Sequence, residues 1–442
     1  MFGRMVSALR AFCKTMLLPA AMSGAAAQSL PPVRQLGPVL STSVEPMAAV
    51  SQVRALAGGR VIVHDNGGRR VLMFDSTLTT FTVIADTTSA TAHAYASDIG
   101  GLVAARADST IFADPVLLSM FMIDPNGKVV RTMAAPQPNE AHYLIGGPFG
   151  TPGIDPQGRL VYRARVGGPT KIISPPRPGQ PPAPDVPDSA MVVRFNLATR
   201  KADTVAHFVV PNLNINLARD ENGHRTITTT VNPIPWTDDW ALLSDGTVAI
   251  VHGQDYRVDF FGADGKMAPT QKLAFDWQRL TDADKSMIVD SARKAVATQD
   301  SIQRAKDFPN DSGKPVPRPR PIPEGTMSNA APGTSAPARA GSSTRVTAFS
   351  ALNEMPDYRP PFRQAAARGD ADGNLWIRTS KMVNDGAVYD VINKNGVLVD
   401  RIQVPPGRVI AGFGPGGVVY MGVLDGAIAR LERARVVPRA QP

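Results

Sequence analysis

One phrase repeats along this chain: a glycine-bearing turn, an apolar strand, a short gap, then a second apolar strand. Its leading halves read GRVIVHD from Gly59, GLVAARA from Gly101, GRLVYRA from Gly158, GTVAIVH from Gly246, GNLWIRT from Gly373 and GVVYMGV from Gly417. Partner strands follow at Arg70 (RVLMFD), Leu118 (LSMFMID), Ala190 (AMVVRFN), Tyr256 (YRVDFFG), Ala387 (AVYDVIN) and Gly426 (GAIARLE). A recurring unit of this kind constrains the fold more than any composition does. A small antiparallel sheet standing alone leaves one face in water. Sheets stacked about an axis bury both faces and protect their edges.

The reading is therefore all-β: a six-bladed β-propeller of four-stranded antiparallel blades with one helical insertion. The intervals from Gly59 to Gly101 and from Gly373 to Gly417 match the ~40–45 residues of one blade. Blades are expected near 49–88, 94–136, 142–210, 236–276, 357–405 and 408–438, within a propeller spanning 33–438 whose last blade is closed by 33–44. Expected first strands are AVSQVRAL at Ala49, AYASDIG at Ala94, TDDWALL at Thr237, FRQAAAR at Phe362 and RVIAGFG at Arg408. Turns such as Asp155-Pro156-Gln157-Gly158 and Asn393-Lys394-Asn395-Gly396 join them. There Asp or Asn bonds its own backbone and Gly supplies the positive φ.

Wider intervals imply insertions. Residues 167–188 form a Pro-rich loop, and about 211–235 a polar loop. Residues 277–356 open with a helix: Thr281 is an N-cap with Asp284 three residues on, and Met287, Ile288, Ala292, Ala295, Val296 and Ile302 fall at helical spacing. The helix is expected to pack on its own scaffold, with a lid or partner-docking role as the sharper reading. Beyond Phe308 the composition turns to Pro, Ser, Ala, Gly and Arg, which cannot build a core.

The formal charge is +9. Arg4, Arg10 and Lys14 stand before an apolar run, 16–22, and the small residues Ala25 and Ala27. That order is a secretory signal over 1–27 and implies a periplasmic or secreted protein. The only cysteine, Cys13, lies inside this leader, which excludes disulfides and thiol catalysis in the remainder. Remaining basic residues are scattered without an aromatic stacking set, against nucleic-acid binding. No later segment is long and apolar enough to span a membrane.

At 53–75 (VRALAGGRVIVHDNGGRRVLMFD) the phrase resembles six-bladed propellers of the NHL and TolB-like type, and TPGIDPQGRLVYRA from Thr151 and DADGNLWIRT from Asp370 are similar. The resemblance identifies a blade and leaves the activity open, since such folds host binding proteins, lactonases, lyases and scaffolds. Lactonase-type propellers hold a divalent cation through Glu, Asn and Asp at the inner ends of different blades. Here Asp98, Asp238, Asp239 and Glu45 are the acids to weigh, and the expected Glu-Gly-Pro turn is replaced by Glu45-Pro46-Met47. Six histidines, His64, His93, His142, His207, His224 and His252, show no metal-ligand spacing, and no G-x-S-x-G elbow exists.

Ligand-binding candidates are the residues expected at the channel mouth: His93, Tyr95, His142, Tyr143, Trp236, Asp238, Asp239 and Arg363. No catalytic set and no metal site is assigned, and no cofactor is implied beyond calcium as an option. The expectation is a monomeric, exported binding or scaffold protein taking a small ligand, peptide or protein at its mouth, more non-enzyme than enzyme. The alternative is a metal-dependent propeller hydrolase or lyase.

Overall fold

The computed structural model describes residues 30–50, 52–89, 93–96, 98–166, 188–211, 214–219, 225–307 and 343–438. The leader, Cys13, His224, nearly all of the 167–188 loop and the 308–342 stretch lie outside the described residues.

Alternating apolar strands build four-stranded antiparallel sheets in chain order. The first is Gln52–Ala55, Val61–Asp65, Arg70–Phe74 and Phe81–Asp86. The second is Gly101–Ala104, Thr110–Asp114, Ser119–Ile123 and Val129–Ala134. The third is Gly153–Ile154, Leu160–Arg165, Ser189–Asn196 and Lys201–Val209. Its short first strand also runs parallel to the second sheet, Gly153 opposite Ala104. The fourth is Asp239–Leu242, Val248–His252, Arg257–Phe261 and Gln271–Lys272. The fifth comprises Phe362–Gly369, Leu375–Val383, Gly386–Ile392 and Leu398–Gln403. The sixth comprises Arg408–Gly414, Val418–Asp425 and Ile428–Arg435, completed by Val39–Thr42 from the other end of the chain. Val33–Gln35 does not join the sixth sheet. It adds a parallel strand to the fifth, where Arg34 pairs with Asp400.

Apolar side chains fill the spaces between successive sheets. Phe112 and Ile62 meet between the first and second, Tyr162 and Ile111 between the second and third, and Trp240 and Phe208 between the third and fourth. Tyr256 meets Phe362 between the fourth and fifth, and Trp376 meets Val419 between the fifth and sixth. Tyr420 and Leu431 of the sixth pack on Val61 and Leu72 of the first. Each sheet is therefore buried on both faces, which explains near-continuous apolar strands such as Val61–Asp65, buried at every position.

Two expectations need correction, and a third holds. In the second sheet the Gly101 strand is the first, not the second, and the described residues of 94–100 form no strand. The hairpin that follows turns at Ala107 and Asp108, both with positive φ (50° and 59°). Such a turn carries no glycine to betray it, so the strand Thr110–Asp114 escaped the pattern. The polar loop at 211–235 is instead a hairpin, Asn214–Arg219 with Arg225–Val231, and Ser343–Phe349 joins it in parallel register. Its Thr-rich sequence hides strand propensity under low hydropathy. The helix, α1, spans Asp282–Asp307. Its N-terminus is a reciprocal cap: the Asp284 amide donates to Thr281 Oγ1 (3.2 Å), and the Thr281 amide to Asp284 Oδ2 (2.8 Å).

Candidate functional site

The innermost strands carry residues from every sheet to one cavity of about 440 Å³, lined by Gln52, Arg54, Ala104, Gly153, Leu242, Arg368 and Gly412 among others. One connection crosses its mouth. Residues 138–151 form two 3-10 turns, Pro138–Ile145 and Gly147–Phe149. Three inner strands pin them. Gln52 Nε2 donates to the Ile145 carbonyl (2.7 Å), Trp240 Nε1 to that of Phe149 (2.9 Å) and Gln364 Nε2 to that of Pro148 (3.0 Å). Gly150 lies against the Trp240 indole with φ +86°, where a Cβ would stand 2.3 Å from Nε1, so only glycine fits.

This strap helps to build a second cavity of about 350 Å³, lined by Tyr143, Phe149, Arg163, Arg165, Ser189, Val210 and Gln364. Arg163 is its centre. The guanidinium carbon lies 5.5 Å from the Tyr143 ring, 5.4 Å from Phe149 and 5.8 Å from Phe208. Its Nε is buried without a hydrogen-bond partner among the described residues. Burial pulls the pKa of this cation down. An arginine sandwiched by aromatic rings with donors unspent is a ready acceptor site for a planar anion.

His142 packs on the same rings, 3.9 Å from Tyr143 and 5.5 Å from Phe149, and is itself exposed. Partial burial, then the charges of Arg163 and Arg165, lowers its pKa below the ordinary 6.5. It is therefore a neutral imidazole at pH 7, able to take a proton.

The other expected residues have different duties. Tyr95 is corrected from the mouth to the core: it is 2% exposed and packs edge-on to Phe112 (4.9 Å) between the first two sheets. The Tyr95 amide donates to the Asp86 carbonyl (3.0 Å) at the end of the first sheet, which holds the ring in the core between the two sheets. His93 lies nearby, its ring 6.5 Å from Phe121. Trp236 meets Trp277 (6.1 Å), part of an aromatic group with Phe275 and Tyr358 beside the helical insertion. Arg363 is exposed beneath α1, lining a cavity with Met287 and Ile288.

Asp238 and Asp239 are bound into the scaffold. Asp238 Oδ2 accepts from His252 Nδ1 (3.0 Å) and the Val209 amide (3.1 Å), and Oδ1 from the Gly253 amide (3.2 Å). His252 Nε2 faces Asp259 Oδ2 at 3.0 Å. An imidazole between two carboxylates donates to both only in its protonated form. Burial lowers its pKa, but the bonds to Asp238 and Asp259 outweigh this and hold it above the ordinary value. Asp239 Oδ2 accepts the amides of Ala366 (2.6 Å) and Ala367 (2.9 Å), tying the fourth sheet to the fifth. Complete burial pushes its pKa up to about 6 against the pull of those amides.

The acids weighed as cation ligands are, among the described residues, committed elsewhere or stand apart. Among the described residues no three His, Cys, Asp or Glu side chains converge. Glu45 is paired with Arg70 (2.7 Å), Asp238 and Asp239 are committed as above, and Asp98 is exposed. Arg54 and Arg368, lining the central cavity, would repel a cation.

No protein-family model matches the chain, and no curated protein matches it. Solved structures do. It is similar to a luciferin-regenerating enzyme, with 11% identity over 89% of this chain and 92% of that one and a TM-score of 0.38. It is similar also to virginiamycin B lyase from Staphylococcus aureus (9%, 88% and 96%, TM-score 0.35). A third is regucalcin, a calcium-binding protein from Agrobacterium tumefaciens (10%, 93% and 99%, TM-score 0.38). The fold is a β-propeller. The likeness is one of fold, and the chemistry rests on this propeller's own residues. The expectation of a non-enzymatic binding or scaffold protein finds no support among these structures: the luciferin-regenerating enzyme and virginiamycin B lyase are enzymes.

Arg163, Phe149 and Gln364 escaped the sequence reading. One signal was available. In the strand Leu160–Arg165, Leu160, Tyr162 and Ala164 face one intersheet core and Val161 the next. By the period of two, Arg163 shares the face of Val161, an arginine on a strand buried from both sides.

Proposed function

We propose that this chain is a six-bladed β-propeller enzyme, a lyase or hydrolase of an anionic small molecule, working at the cup beside the strap. The observation that carries the reading is Arg163: a guanidinium held between three aromatic rings with an unpartnered buried nitrogen. Its planar fork suits a carboxylate or phosphate. Neutralising that charge acidifies the adjacent C–H of a carboxylate substrate, or polarises an attached ester or lactone. His142 is the general base, removing that proton or activating a water, and then returns it to the leaving group. Tyr143 and Phe149 exclude water and set the planes of both groups.

Six blades are supported by the apolar cluster between the sixth and first sheets and by Val39–Thr42 on Ile428–Arg435. The leader at 1–27 supports export, and the scatter of the basic residues supports a small ligand over nucleic acid as the partner.

The test is turnover across a panel of carboxylated and phosphorylated esters, lactones and β-substituted acids. For any substrate found, His142→Ala is expected to lower kcat roughly 10²-fold or more. Arg163→Gln is expected to raise KM roughly tenfold with a smaller change in kcat. Turnover indifferent to both substitutions would remove the assignment.

A further inference from the structure

The central cavity lies on the other side of the strap. Gly147, Thr151 and Pro152 line it, while Pro148 and Phe149 line the cup, so the two cavities share a wall. Its charge is unbalanced. Arg54, Arg106 and Arg368 contribute to the lining, with Asp155 and Asp370 as the acids. Both acids are saturated. Asp155 accepts from the amides of Gln157 and Arg159 and pairs with the Arg159 side chain (2.7 Å). Asp370 accepts from the amides of Asp372 and Asn374, from the Asn374 side chain (2.9 Å) and from Trp376 Nε1 (2.9 Å).

The arginines are not saturated. Arg368 donates through Nη1 to the Ile410 carbonyl (2.9 Å), a neutral acceptor. Arg54 donates to the Ala55 carbonyl and, at a long 3.3 Å, to Asp108, while its Nε is buried with no partner among the described residues. Asp108 is shared with the Ala57 amide (2.6 Å). Burial depresses the pKa of both arginines. Half-buried cations, one facing a neutral carbonyl and the other only a long contact to a shared carboxylate, favour an anion between them.

We propose that the central cavity is a second site, binding a small polyvalent oxyanion (a phosphate or a di- or tricarboxylate) between Arg54 and Arg368. It is separate from the cup of Arg163 and does not depend on the reading of that cup. The volume of about 440 Å³ admits a molecule of this size together with water.

The experiment is calorimetric titration of the full chain at low ionic strength with inorganic phosphate and, separately, with citrate. The expected result is saturable binding of one equivalent of at least one of them. Arg54→Gln and Arg368→Gln should each weaken it roughly tenfold or more, while Arg163→Gln changes it less than about twofold. If Arg368→Gln fails to fold, Arg54→Gln and the thermal shift produced by the same anions in wild type carry the test. No saturable binding in the millimolar range overturns the proposal. So does binding that survives both channel substitutions, or binding that Arg163→Gln alone abolishes.

Discussion

His252 shows how a single titrating residue fixes a corner of the propeller. In the first sheet the second strand ends in Asp65, whose Oδ1 accepts the amides of Ala48, Ala49 and Gly68. In the second sheet Asp114 accepts the Val116 and Leu117 amides through Oδ1 and the Ala96 amide through Oδ2. The fourth sheet puts His252 at this position and supplies the carboxylates from Asp238 and Asp259. Because the folded pKa of His252 is raised, its stabilisation is complete below the ordinary histidine value and is lost as pH rises through the folded value. His252→Gln should cost about 2 kcal/mol at pH 6, with the difference from wild type shrinking above neutrality, as read by thermal unfolding across pH. Tyr95 gives the opposite expectation. Its buried hydroxyl has no partner among the described residues, so Tyr95→Phe should leave the melting temperature unchanged or raised. A drop of several degrees would mean that the hydroxyl is hydrogen-bonded in the core. Neither duty is legible from residue type. A histidine at the end of a strand reads alike as ligand, base or clamp until its two neighbours are known, and those come from 14 and 7 residues away.

Strands with glycine-marked turns were readable because Gly, Asp and Asn leave local signatures, and Asp155, Asp370 and Asn393 do hold the turns expected of them. Elements without such marks were not. The Ala107–Asp108 turn, the Thr-rich hairpin at 214–231 and the strap depend on long-range bonds that leave no periodicity. The strap matters most, since it forms one wall of both cavities. Gly150→Ala places a side chain against Trp240 at a left-handed φ and should destabilise by about 1–3 kcal/mol. Amide hydrogen exchange should then quicken in 138–151 before the sheets respond. Uniform protection in that variant would mean that the strap is not an independent element.

At the scale of the molecule, the sixth sheet packs on the first through a shared apolar cluster, and the N-terminal strands bind the fifth and sixth sheets beside it. Arg34 pairs with Asp400, the Ser43 amide donates to the Leu431 carbonyl (2.8 Å), and Met47 and Ala429 exchange backbone bonds of 2.9 and 2.7 Å. Removing residues 30–44 should therefore lower the melting temperature sharply and broaden the calorimetric transition, because the Ile428–Arg435 edge loses its partner. The repeat made a propeller legible from sequence, whereas the cup could not be read, because Arg163, Tyr143 and Gln364 come from separate sheets and connections. The most direct measurement of its chemistry is the pH dependence of kcat/KM for a turned-over anionic substrate. An acidic limb is expected with its midpoint below the ordinary histidine value of about 6.5, belonging to His142 and absent from His142→Ala. A limb that persists unchanged in that variant would contradict this expectation.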